Sequence, residues 1–143
     1  MDLSNLATKE AAERGTWFEV LDPFGNASGL ELLVAGAHSE RYRRSVAKMQ
    51  ATQHNRRLQR NQSKREPEDF EVEDDLLTEH AVRITLDWRG KDGEPVTFGD
   101  DVVEFSEATV RKLYDQAVDV RNQTLEVARN TRAFLSKGSG VTS

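Results

Sequence analysis

Thr16-Trp17-Phe18-Glu19-Val20-Leu21, then Asp22-Pro23-Phe24-Gly25-Asn26, then Leu30-Glu31-Leu32-Leu33-Val34 is the stretch that decides the fold class. Its two ends are rich in aromatic, β-branched and other apolar residues, and its centre carries turn chemistry. Strand, turn, strand is the reading, a β-hairpin with a loose loop. Without it the chain would read as helices alone. A single hairpin is marginal in water, so it must pack on something or pair with another chain. Trp17, Phe18, Leu32 and Val34 are the candidates for such self-association.

Upstream, residues 1–15 read as a short helix. Thr8 is placed to cap it and Gly15 to end it in the left-handed conformation. Downstream, Ser39 is a good N-cap for a long helix, and Tyr42, Val46 and Met49 fall on one of its faces. Between Gln50 and Asp69 only Ala51 and Leu58 are apolar, so a helix there has no stripe to bury. Residues 39–69 therefore read as a charged helix or a flexible arm. Arg41, Arg43, Arg44, Lys48, Arg56, Arg57, Arg60, Lys64 and Arg65 are followed by Glu66, Glu68, Asp69, Glu71, Glu73, Asp74, Asp75 and Glu79. Pro67 marks the junction and the expected end of the first helix. Two antiparallel helices joined there would attract each other.

A second helix is expected from about Phe70 to Trp88, on the spacing of Phe70, Leu77, Ala81, Ile84 and Trp88. Asp74 and Asp75 near its start suit the helix dipole. Lys91 to Pro95 reads as a turn and Val96-Thr97-Phe98 as a short extended piece. Ser106 then caps further helix, with Val110, Leu113 and Tyr114 on its apolar face. The helical signal runs on through Val118 and Leu125 to Phe134 and Leu135, as one bent helix or two. Residues 137–143 read as a disordered tail. The expected fold is mainly α with a small N-terminal hairpin, an α+β, bundle-like single domain. Its parts are 1–38, 39–69, a helical 70–136 and the tail.

The chain has 143 residues, a net charge of −5, 31% charged and 36% hydrophobic residues, and no cysteine. That size suits one domain with a thin core. Disulfides and zinc–thiolate sites are excluded. No segment has the ~20 apolar residues of a membrane span, and Met1 to Gly15 lacks the layout of a secretory signal. The acidic balance argues against nucleic acid as the default partner.

Catalytic chemistry finds little support. His38, His54 and His80 are far apart and form no HxxxH or HExxH pair. His80, near Glu73 and Glu79, reads as a helix-surface histidine rather than a ligand. Ser39 follows His38 but sits at a helix cap, with no nucleophile elbow around it. No phosphate-binding glycine motif is present. No enzyme, metal or cofactor is expected. The basic run 41–65 admits a phosphate-binding surface, but its one aromatic, Tyr42, gives nothing to stack on unpaired bases.

The order of features resembles the tail assembly chaperones of long-tailed bacteriophages and prophages. Met1-Asp2-Leu3-Ser4 and Ala11-Ala12-Glu13-Arg14-Gly15 are similar to the family's opening before its hairpin. Ser39-Glu40-Arg41-Tyr42-Arg43 is similar to its SDxYR segment, Asp87-Trp88-Arg89-Gly90 to xxWxG, and Gly93-Glu94-Pro95-Val96-Thr97-Phe98 to GEPxxF. The end resembles its last helices, with Arg132-Ala133-Phe134-Leu135 like RxxFL. Residues 99–104 depart from the pattern, because the family passes from GEPxxF directly into a Ser-capped helix.

The resemblance implies a non-enzymatic chaperone of the host bacterial cytoplasm. Such a protein oligomerises, coats the tape measure protein, and is absent from the mature virion. A longer, frameshifted form would engage the tail tube subunit. Val110, Leu113, Tyr114, Leu125, Phe134 and Leu135 are the expected grip on the tape measure helix, in the helix-in-groove mode. The competing readings are a phage structural or connector protein retained in the virion, and a nucleic-acid module using 41–65.

Overall fold

In the computed structural model, which describes residues 2–6, 8–62, 73–130 and 132–134, Thr16–Leu21 (β1) pairs antiparallel with Ala27–Val34 (β2). Asp22 organises the turn between them. Its Oδ1 accepts the amides of Phe24 and Asn26, both at 2.9 Å, the local capture that makes Asp a turn residue. Upstream, Leu3–Leu6 forms a 3₁₀ turn and Lys9–Arg14 (α1) a short helix. Gly15 ends it at φ 82°, where an added Cβ would lie 2.8 Å from the Val34 carbonyl oxygen. Thr8 does not cap this helix through its side chain, which instead bonds the His38 ring.

The largest departure from expectation lies in the second helix. Asp74–Ile84 (α3) is helical, but Thr85–Gly90 (β3) is a strand paired antiparallel with β2. Leu77, Ala81 and Ile84 keep their helical spacing, whereas Trp88 lies on a strand opposite Leu32. Thr85 to Arg89 also alternates with period two, and pairing with β2 satisfies a row of backbone groups that would otherwise form an open edge. The Thr85 hydroxyl, 2.7 Å from the Ala81 carbonyl oxygen, marks the switch. The sheet order is β1-β2-β3. The domain is a mixed α+β layer rather than a helical bundle with a hairpin appended. Phe70, Pro67 and the acidic residues 66–71 lie outside the described residues, as do Leu135 and the tail 137–143.

Glu40–Gln62 (α2) is one helix, started by Ser39, whose Oγ accepts the Tyr42 amide at 3.1 Å. It continues past Met49, where its apolar face ends. Arg, Gln, Leu and Ala are strong helix formers there, and Arg56 and Arg60 pair with Glu73 at the start of α3. Arg56 also reaches Asp75 at 2.9 Å.

Thr97–Phe98 (β4) and Asp101–Val102 (β5) pair antiparallel as a short ribbon turning at residues 99 and 100. Glu107–Gln116 (α4) and Val118–Arg129 (α5) are two helices broken at Ala117. Ser106 and Thr109 close a capping box on α4. The core joins Val20, Leu32, Val34 and Trp88 of the sheet to Ala81, Val82, Ile84, Val110, Tyr114, Leu125, Ala128 and Phe134. Among the described residues no helix is long and apolar enough to cross a membrane.

Candidate partner-binding surface

Strand register sorts the sheet into two faces. Phe18, Leu32 and Trp88 stand opposite one another and pack into the core with α3, α4 and α5. Because side chains alternate along a strand, Trp17 and Leu33 point the other way, in line with Asp87. Glu19, Glu31 and Arg89 form the next row on that outer face. Arg89 donates to Glu31 at 2.7 Å and its guanidinium lies 3.9 Å from the Trp17 ring centroid. Lys91 reaches Glu19 at 3.5 Å. The outer face is thus a half-buried apolar strip held within paired charges. At the tip of the β1–β2 turn, Phe24 leaves 88% of its surface exposed. Leu21, near that tip, is also exposed, and its backbone is clamped to α5 by the Gln123 amide, with both bonds at 2.9 Å.

The residues expected to grip a client helix are placed elsewhere. Val110 and Tyr114 are fully buried, Leu125 and Phe134 nearly so, and Leu113 is half-buried against the core. These positions fill the space between helices and sheet, so the amphipathic face of α4 and α5 is spent on folding. Leu135 lies outside the described residues. Of the residues expected at a self-association surface, Leu32 and Val34 are fully buried and Phe18 packs on the core, because all three face the helices. Trp17 alone reaches the outer face. Phe24 and Leu33 were missed as surface candidates. An aromatic inside a Pro-Phe-Gly turn has little to pack on, and that signal could have marked Phe24.

Buried polar groups tie the helices together. The Tyr114 hydroxyl lies 2.9 Å from that of Thr124, and burial pushes its pKa above the usual phenol range. Arg121, 3% exposed, bonds the Asp74 carboxylate at 2.8 Å and the Thr78 hydroxyl at 3.1 Å. Arg111 forms a two-pronged pair with Glu79 at 2.6 and 2.8 Å, which lowers the Glu79 pKa.

His80 is not a surface histidine. It is 3% exposed, its ring meets Tyr42 edge-on, and its Nδ1 lies 2.6 Å from Ser45 Oγ. Burial first, then the nearby Arg83 and Arg129 charges, lower its pKa to about 4. Among the described residues no group of three or more His, Asp or Glu side chains is placed to hold a metal ion. Comparison of the chain with known protein families, with curated proteins and with solved structures returned no match.

Proposed function

We propose that this protein works by binding other protein chains, as a non-enzymatic tail assembly chaperone that self-associates and coats a tape measure protein while a phage tail is built. The observation that carries the reading is the one-sided sheet. Among the described residues the helices pack on the face of Phe18, Leu32 and Trp88, while Trp17 and Leu33 stand half-buried on the other face and Phe24 is exposed at the turn tip. Rigid aromatics within a charged rim suit repeated, modest contacts, and repetition along a client supplies avidity that no single contact has. The sequence resemblance adds the identity of the client, and the longer frameshifted form is proposed to engage the tail tube subunit. The proposed site of contact lies apart from the residues expected from the sequence, of which Val110, Tyr114, Leu125 and Phe134 are buried in the core.

The basic helix favours this reading over a nucleic-acid module. Arg56 and Arg60 are engaged by Glu73 and Asp75 of the same chain, so part of the positive run is already neutralised. The test is co-expression with a tape measure protein encoded in the same genome, followed by mass spectrometry of purified virions. The chain is expected in a soluble complex with the tape measure protein and missing from the virion. Retention in the particle would favour a structural or connector protein.

A further inference from the structure

β3 is the last strand of the sheet, and along its outer edge runs a groove of about 690 Å³. One wall is β3 with the turn after it, and the other is the segment 103–105. The floor is apolar. Trp88 and Phe105 meet edge-to-face with ring centroids 5.6 Å apart, and Val96 and Val103 lie beside them. The rim is acidic. Its cations, Arg89 and Lys91, are engaged by Glu31 and Glu19, whereas Asp87, Asp92, Glu94 and Glu104 stand exposed along it. The Trp88 amide donates to the Asp87 carboxylate at 2.8 Å, a side chain occupying a group that a neighbouring strand would use.

We propose that this groove takes an extended basic–apolar segment of another protein, which adds to β3 as a fourth strand. Strand addition draws affinity from main-chain hydrogen bonds and specificity from alternate side chains. A strand laid here would place every second residue over the Trp88–Phe105 floor and the intervening residues at the rim. Lysine or arginine at the rim meets four carboxylates, and an acidic strand meets like charge. A helix cannot extend the sheet by pairing with the edge of β3. β3 is six residues long, an edge of about 20 Å at ~3.3 Å per residue. The inference rests on the groove alone and holds whichever protein supplies the strand.

The test is titration of the full chain with a capped heptapeptide alternating lysine and valine, followed by amide NMR. Saturable shifts are expected at residues 86–94 and 103–105. Binding should weaken about tenfold or more in Glu94→Lys/Glu104→Lys, whose melting should be unchanged because both side chains are exposed. A peptide N-methylated along its β3-facing edge should not bind. Equal binding by a glutamate–valine peptide, or by the N-methylated one, would overturn the proposal. So would an edge already protected in the free protein by a second copy and unaffected by peptide.

Discussion

The hydroxyls of Tyr114 and Thr85 lie 2.6 Å apart, joining α4 to the residue at which α3 becomes β3. The contact makes Tyr114 a strut of the fold, and it carries the first prediction. Tyr114→Phe removes one member of a buried chain that continues to Thr124, while Thr85 and Thr124 keep bonds to the Ala81 and Val120 carbonyls. Stability should fall by about 1 kcal/mol with the fold intact. Tyr114→Asp, which buries a carboxylate, should abolish cooperative urea unfolding.

Acid should destabilise the protein through His80. Protonating the buried ring would add a second cation beside Arg83, which reaches the same Ser45 hydroxyl: Ser45 Oγ accepts from Arg83 Nε at 2.8 Å and lies 2.6 Å from His80 Nδ1. The folded pKa of about 4 lies below the ordinary 6.5. The unfolded chain therefore binds more protons between those values. Stability should be full above pH 6.5 and decline as pH falls toward 4, by a few kcal/mol at most. His80→Gln should flatten that slope in urea titrations run across the window.

Gly90→Ala should destabilise. A Cβ at Gly90 would lie 1.9 Å from the Glu94 carbonyl oxygen, and backbone cannot yield as a side-chain tip can. The expected loss is about 1–3 kcal/mol, with amide shifts concentrated in 90–94. An unchanged melting temperature would mean that the turn does not close as described.

The distal end of α2 should depend on salt. With no apolar face beyond Met49, its order leans on Arg56 and Arg60 against Glu73, and Glu73→Gln should speed hydrogen exchange over residues 53–62. Partly exposed pairs contribute little, roughly 0.2–1 kcal/mol, so global stability should hardly change. Raising salt should act in the same direction.

These tests bear on parts of the fold that were unequally legible in the sequence. The extended character of Thr16–Leu21 and Leu30–Val34, the turn at Asp22 and the caps at Ser39 and Ser106 are local signals, and local chemistry sufficed to read them. β3 was not legible, because Ile84 and Trp88 extend a valid four-residue spacing while Thr85 to Arg89 also fits a strand. Long-range pairing with β2 decides between the two, and no window of sequence contains it. The candidate surface was hidden for the same reason. Whether Leu32 or Leu33 faces the helices depends on register, and whether Val110 and Tyr114 face a client or the core depends on where the sheet lies.

The central claim is that the chain holds a client protein through its open sheet face and turn tip. The most direct measurement compares soluble tape measure protein co-purified with the wild-type chain and with Phe24→Ser. The exposed Phe24 side chain has no part in the core, so melting should match wild type. The account predicts that wild type keeps the tape measure protein soluble and in complex, and that Phe24→Ser recovers several-fold less. Equal recovery with both proteins and with an empty vector would contradict it.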